Sequence, residues 1–434
     1  MLLVLESPLL RGANSVAACF EAACEERQVQ SALLLLKYRP VITLDGLNAA
    51  ISSRDTAVLK STICILAAQR HELLDVALRH LPHEQIRKQG LSKGGLLDSS
   101  ALSIQNALVE RGINPSLCGN KDGNTVYSTM GADLGVAELL HEAGFIDLNQ
   151  RGEGGNPPIV VIASYSVSLV SFAAMADWMI CKGADLYIPS WHGYPAIFDV
   201  ASELGTLLQM THYDDCSIHS DTHCTSSCEL ESILSTHVGG VDFISTVLSD
   251  DTRDDCFCAC SQGGCPPLTR LLRSYYPPSR LARRTDWIHP EVVGQLQDLM
   301  CQSSKMGSWK TTVSAILRYL TFEALEMTHT CQCSSNLTTG DQDTNRFRGV
   351  GDKKSSICQL DELMVEFDRK YDELGVGIRQ FLEGYWHSRI DEVLQEHHIY
   401  PDEVMKIFGE IEELRYRVQT IVPQKMKMLD EKNV

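Results

Sequence analysis

Apolar residues recur at three- and four-residue steps through much of this chain, the spacing that places them on one face of an α-helix. Between residues 15 and about 210 the apolar stripes are modest in length and are separated by polar or glycine-bearing turns. One such stripe runs from Leu73 to Leu81 and predicts a single buried helix face. The pattern therefore predicts an all-α fold built from many short amphipathic helices.

Glycine-bearing turns return at regular intervals along this region. Gly112, Gly144 and Gly183 are separated by 32 and 39 residues, and intervals of this size are typical of stacked helical repeats. Glycine readily adopts the positive φ that a helix C-terminus often requires. Since one helix pair cannot bury its own apolar face, several pairs have to stack, and we expect an irregular helical solenoid over residues 15–210.

The pattern changes beyond about residue 210. Residues 211–335 are rich in cysteine and histidine, and a helix is predicted over 311–327. Residues 336–357 are polar with almost no apolar anchor, which predicts a mobile loop. The helical period then returns over 358–423. We therefore expect a repeat array, a Cys/His-rich helical region, a loop and a C-terminal helical segment.

Composition and charge narrow the classes of function. The chain has 434 residues, 44% of them hydrophobic, and a formal net charge of −18. Broad binding to nucleic acid or to an anionic membrane requires a basic surface, so neither is expected. No apolar run approaches the ~20 residues that span a bilayer, and the first residues lack the basic leader of a secretory signal. We expect an intracellular protein, either cytoplasmic or nuclear.

Four of the 16 cysteines are concentrated at Cys256, Cys258, Cys260 and Cys265. Tetrahedral zinc places its sulfur ligands ~3.7 Å apart, whereas alternate residues of an extended strand lie ~6.6–6.8 Å apart. Neighbouring cysteines can therefore share one zinc ion only where their side chains lean together or the backbone curls, and the glycines at 263–264 can bring Cys265 back. With His329 and Cys331 as further ligands, this set is the candidate structural zinc site.

Other interpretations of the cysteines stay open. They could be buried or free reduced thiols, or they could form disulfides in an oxidising compartment. Additional candidate ligands lie on both sides of the cluster, at Cys216, His219, His223, Cys224, Cys228 and Cys333. A site with four sulfur or imidazole ligands and no open position would be structural and not catalytic.

Enzyme signatures are absent from the sequence. There is no Gly-x4-Gly-Lys-Ser/Thr phosphate loop, no Gly-x-Ser-x-Gly elbow and no His-Glu-x2-His helix. We therefore expect no enzymatic activity. The aromatic residues Tyr187, Trp191 and Tyr194 crowd one inter-helix loop and are candidate anchors for a protein partner. The alternative is that Trp191 or Tyr194 covers the core between two repeats.

Short motifs over residues 112–208 add a family resemblance. Asp-Gly-Asn-Thr at 122–125 opens one unit, Pro-Pro at 157–158 marks the next, and Lys-Gly-Ala-Asp at 182–185 closes it. This region resembles the ankyrin-repeat family, although Val126 replaces the turn proline. The His of the family's Thr-Pro-Leu-His motif is replaced at Ser128, Val160 and Phe198.

Most of the chain resembles uncharacterised ankyrin-repeat proteins of filamentous fungi. The similarity adds the cysteine block, a helix that ends at residues 326–331 and the Phe-Leu-Glu-Gly-Tyr-Trp segment at 381–386. It implies a non-enzymatic scaffold that binds an unknown protein partner, and it brings no catalytic residue. The alternative function is a metal-stabilised regulatory protein with a structural zinc ion held by the C-terminal cysteines.

Overall fold

The secondary structure is almost entirely helical. The computed structural model describes residues 13–88, 95–115, 124–129, 133–152, 154–166, 168–216, 240–256, 258–261, 263–276, 290–302, 309–327, 329 and 353–396. Within these ranges the one extended pairing is an isolated antiparallel bridge between Pro189 and Pro195. The expected all-α fold is confirmed for this part of the chain.

Helices account for most of the described residues. In chain order they are α1 (Ala13–Glu25), α2 (Val29–Leu36), α3 (Leu44–Ser52), α4 (Thr56–His80), α5 (His83–Lys88), α6 (Ser100–Val109), a 3-10 turn (Val126–Thr129), α7 (Leu134–Glu142), α8 (Pro158–Tyr165), α9 (Leu169–Cys181), α10 (Ala196–Cys216), α11 (Val241–Ser249), α12 (Pro267–Tyr275), α13 (Pro290–Gln302), α14 (Trp309–Ala324), α15 (Lys353–Leu374), α16 (Ile378–Phe381), a π-helical turn (Leu382–Trp386) and α17 (His387–Glu396).

Side-chain caps fix several helix starts. Thr43, Asp55 and Asp133 each accept a hydrogen bond from the backbone N–H three residues later, which satisfies a donor that the first helical turn leaves unpaired. Helices α8 and α12 instead begin with a proline, whose missing N–H costs nothing at this position.

The predicted glycine turns are confirmed. Gly112, Gly144 and Gly183 follow α6, α7 and α9 with φ of 77°, 109° and 101°. The three turns after α1, α2 and α3 have the same left-handed backbone, but it is adopted there by Arg27, Arg39 and Arg54.

The helices pack in two adjoining rows. Contacts along the first row join α1, α3, the 3-10 turn, α8, α10, α12, α14 and α15 in that order. Contacts along the second row join α2, α4, α7, α9, α11, α13 and α16. Further contacts link the rows, for example between α8 and α9 and between α13 and α14. Each helix therefore covers part of the apolar face of the next helix in its row.

One apolar core follows the rows from Phe20 to Val393. A second, smaller cluster lies between the last turns of α4 and α6 and includes Leu73, Ala77 and Ile104. The stripe predicted between Leu73 and Leu81 is buried at both ends, whereas Leu78 within it is exposed.

Some of the predicted region boundaries fall inside helices. The expected change at 210/211 falls inside α10, and the helix predicted over 311–327 is α14. Residues 353–357 of the predicted loop are the first turns of α15, because polar residues can form the start of an amphipathic helix without an apolar anchor. Residues 336–352 and 397–423 lie outside the described residues. None of the described helices combines the length and the apolar character that a bilayer crossing requires.

Candidate metal centre

The loop between α11 and α12 is organised by one buried carboxylate. Asp254 Oδ1 accepts the backbone N–H groups of Cys256, at 3.2 Å, and of Cys265, at 2.7 Å. The carbonyl of Cys265 in turn accepts the N–H of Asp254 at 3.2 Å. Gly264 has a φ of 102°, and a Cβ there would lie 2.2 Å from the Asp254 carbonyl oxygen. Glycine is therefore required for the chain to return Cys265 to this carboxylate.

A tight turn supplies the backbone curl that shared metal binding requires. The carbonyl of Cys258 accepts the N–H of Ser261 at 3.2 Å, so residues 258–261 close on themselves. Arg318, on α14, donates from Nε to the Ala259 carbonyl at 2.9 Å, and this contact further restrains the turn. We call residues 258–261 the cysteine turn.

The cysteine turn gathers groups that could hold a metal ion. One ligand atom each from Cys258, Cys260 and His329 lies within 4.8 Å of the other two. Cys258 Sγ is 3.6 Å from His329 Nδ1, and Cys260 Sγ is 3.6 Å from Cys265 Sγ. Tetrahedral zinc with ordinary bond lengths predicts about 3.7 Å between two sulfurs and about 3.6 Å between sulfur and nitrogen. The sulfur atoms of Cys260 and Cys265 are too far apart for a disulfide, whose bond is about 2.05 Å long.

The second nitrogen of His329 contacts a carboxylate. His329 Nε2 lies 2.6 Å from Glu323 Oε1, and the two side chains are only 9% and 5% exposed. A carboxylate in this position fixes the tautomer and the orientation of a ligating imidazole and raises its basicity. The Phe322 ring, 4.6 Å away between centroids, limits the tilt of the imidazole. Burial, together with the nearby Glu323 carboxylate, raises the pKa of Tyr319.

Burial restricts the chemistry of this centre. Cys258, Cys260 and Cys265 are all buried, and His329 is nearly so. A metal ion held by these four groups would have a full tetrahedral shell away from solvent. That arrangement stabilises a fold, whereas catalytic zinc keeps one position open for water or substrate.

The predicted ligands divide into three groups. Cys258, Cys260 and His329 come together, whereas Cys265 lies outside this group of three and contacts one of its members, with its Sγ 3.6 Å from Cys260 Sγ. Cys256 is partly exposed and is not among the ligand groups found in the described residues. Cys331 lies outside the described residues, as do His219, His223, Cys224, Cys228, Cys333 and the side chain of Cys216.

Sequence reasoning missed Glu323, Asp254 and Arg318. Each is a common charged residue, and nothing in the local pattern separates it from a solvated side chain. Their roles depend on contacts with residues between 6 and 59 positions away, which only the folded chain creates.

The three candidate partner anchors occupy different environments. Trp191 is 61% exposed at the tip of the turn closed by the Pro189–Pro195 bridge. Tyr187 is 52% exposed, and its hydrogen bond to Asp250 raises its pKa to about 12. Tyr194 instead packs against the main core, with the Arg270 guanidinium 4.8 Å above its ring.

Comparisons with known proteins add no family to this description. No protein-family model, curated protein or solved structure matches the chain.

Proposed function

We propose that Cys258, Cys260, Cys265 and His329 bind a structural zinc ion that stabilises a non-enzymatic helical scaffold. The observation that carries this proposal is the pair of 3.6 Å separations, Cys258 Sγ to His329 Nδ1 and Cys260 Sγ to Cys265 Sγ. Thiolate and imidazole donors suit Zn²⁺ better than Mg²⁺ or Ca²⁺, which prefer oxygen ligands.

The zinc would join two parts of the first row. Its cysteine ligands precede α12, and His329 follows α14, so one ion would cross-link the segments that flank two adjacent helices. Metal binding of this kind contributes directly to folding free energy, because the unfolded chain has no preformed site.

Metal analysis of the reduced, purified protein tests the proposal. We expect one zinc ion per chain and a lower melting temperature in a strong chelator. Cys258→Ser should lose the metal, whereas the matched change Cys64→Ser, at an exposed cysteine of α4, should keep it. Protein that contains no zinc and melts unchanged in chelator would contradict the site.

A second candidate function is protein recognition by an ankyrin-like solenoid. The two helix rows support it, and so do the loops that follow α7 and α9. In these loops Asp147 and Asp185 each accept the N–H two residues later, and they lie 38 residues apart. Asn149 joins the loops, since its side chain donates to the Gly183 carbonyl at 2.8 Å and accepts the Asp185 N–H at 2.7 Å.

In this candidate function, exposed aromatic residues on the stacked loops bind the partner. A photo-crosslinking amino acid at position 191 should capture a partner protein, because Trp191 is exposed at the loop tip. The same label at Tyr165, which is 65% exposed at the end of α8, is the control. Equal capture from both positions would argue against a specific surface at the loop tips.

A further inference from the structure

Three polar contacts hold α15 against α14. Lys310 Nζ lies 2.6 Å from Asp372 Oδ2, Ser314 donates to Asp368 at 3.1 Å, and Arg318 Nη1 lies 2.9 Å from Asp361 Oδ1. Beneath them the apolar side of α15, which includes Leu360 and Phe367, is buried in the main core.

Arg318 differs from the other two donors in a second contact. Its Nε donates to the carbonyl of Ala259, between the ligand cysteines Cys258 and Cys260. The Arg318 side chain is 10% exposed and Asp361 is 50% exposed, so one guanidinium joins a buried turn to a surface carboxylate. The donors of a guanidinium have a fixed planar geometry, and both contacts therefore form only when the turn and α15 are correctly placed.

We infer that Arg318 is a positioning residue that couples the metal state of the cysteine turn to the docking of α15 on α14. This inference rests on the proposed zinc site. Zinc bound to Cys258 and Cys260 fixes the orientation of the Ala259 carbonyl between them. That carbonyl orients Arg318, and Arg318 then pairs with Asp361. Loss of the metal frees the turn and weakens the docking of α15.

The consequence is a metal-dependent change at the C-terminal helices. The π-helical turn is fixed to the same surface, because Trp386 Nε1 donates to Thr321 Oγ1 of α14 at 3.0 Å. Weaker docking of α15 would therefore uncover apolar residues of α14 that are buried in the zinc-bound state. Metal loading would regulate how much of this surface is available.

Hydrogen–deuterium exchange of the full chain tests the coupling, with zinc-loaded and chelator-treated protein compared. Peptides from 353–374 should exchange about threefold faster or more after zinc removal, while peptides from α3 and α4 stay unchanged. Asp361→Asn should raise exchange in the zinc-loaded protein and should reduce the response to chelator by at least about half. Lys310→Gln is the matched control, since it removes an exposed ion pair between α14 and α15 that does not involve the cysteine turn. It should keep the full response to chelator.

The outcomes separate this inference from the zinc site. Asp361 contacts no proposed ligand, so Asp361→Asn protein should still bind one zinc ion. The coupling is wrong if zinc binds but leaves the exchange rate over 353–374 unchanged, or if Asp361→Asn protein responds to chelator like the unaltered chain. In either case the zinc site itself stands. A uniform rise over all helices would mean general unfolding and would also overturn the coupling. Protein that binds no zinc would overturn both proposals.

Discussion

In the proposed zinc site, the carboxylate of Glu323 would determine how firmly His329 holds the ion. It occupies the imidazole nitrogen that faces away from Cys258, and both partners are shielded from water. Outer carboxylates of this kind keep the ligand nitrogen free of its proton and correctly aimed. The strength of the centre therefore depends on a residue that is not itself a ligand.

Glu323→Gln should weaken zinc binding by about 10- to 100-fold, because an amide oxygen is a poorer acceptor for the imidazole N–H. Competition with a chromogenic chelator measures the change. Glu362→Gln, at an exposed position of α15, makes the same charge change away from the site and should leave the affinity unaltered. Equal affinities for the two variants would show that Glu323 does not support the histidine.

Asp98 is a further buried carboxylate, and its ionisation should affect the stability of the fold. Its Oδ1 accepts the Val126 N–H at 2.9 Å. Burial raises the pKa of Asp98 to about 7, although the charge of Arg70 partly offsets this effect. The folded protein thus keeps a proton that the unfolded chain releases near pH 4. Stability should therefore fall as pH rises from about 4 to about 7 and then level off.

Asp98→Asn should remove this contribution, because an amide does not ionise and its oxygen can still accept the Val126 N–H. Urea unfolding at a series of pH values measures the slope, which for one group is at most about 1.4 kcal/mol per pH unit. The slopes of the two proteins are compared, and not their absolute stabilities, since Arg70 also loses a neighbouring charge. Parallel curves across this pH window would contradict the assignment.

Residue types explain which site residues the sequence could predict. Cys258, Cys260, Cys265 and His329 stood out because thiols and imidazoles are metal ligands wherever they cluster. Cys256 has the same spacing as Cys258 and Cys260, yet it lies outside the group that Cys258, Cys260 and His329 form, and spacing alone does not distinguish these roles.

Among the elements, the loop before α12 depends on two adjacent glycines that differ in their surroundings. Gly263 and Gly264 both have positive φ, at 72° and 102°. A Cβ on Gly263 would have nothing within 4 Å, whereas one on Gly264 would meet the backbone of Asp254.

Gly264→Ala should therefore prevent the loop from closing and should abolish metal binding by the purified chain. Gly263→Ala is the matched control, with the cost of a left-handed alanine of about 1–2 kcal/mol but no steric clash. Zinc content and thermal unfolding measure both effects. Zinc retention by the Gly264 variant would show that the loop can close along another path.

Helix ends show where sequence reasoning succeeds and fails at this scale. The turns at Gly112, Gly144 and Gly183 are predictable, because glycine favours the left-handed backbone found there. The equivalent turns at Arg27 and Arg39 carry no such signal, since arginine in the left-handed region is uncommon. Tertiary packing sets the backbone conformation of these two residues. In the sequence, an arginine in a turn cannot be distinguished from an arginine on a helix surface.

Across the whole molecule, the first row depends on a close approach between α10 and α12. A Cβ at Gly205 would lie 2.1 Å from the Leu271 carbonyl oxygen, so the two helix backbones meet at this point. The periodicity of the sequence predicts stacked helices before residue 210. It does not predict that the rows continue through α11–α14, because the glycine spacing that marked the earlier units stops there.

Gly205→Ala should push α10 and α12 apart and destabilise the protein by about 2 kcal/mol, the usual cost of overpacking. Gly384→Ala is the matched control, because a Cβ there would have nothing within 4 Å. Alanine at that helical position should be neutral or stabilising by up to about 1 kcal/mol. Denaturant unfolding gives both values, and similar stabilities would mean that α10 and α12 can move apart at no cost.

The small apolar cluster outside the main core should make local stability differ along the chain. The helices that it holds together should unfold locally more readily than the helices of the main core. Among the described residues, eight buried side chains hold the last turns of α4 to α6, and they form a cluster separate from the continuous core. A unit with so few contacts opens more often than its surroundings. Limited digestion should therefore cleave first near α6, while the first half of α4, anchored by Val58 and Leu66, stays intact in the larger fragment.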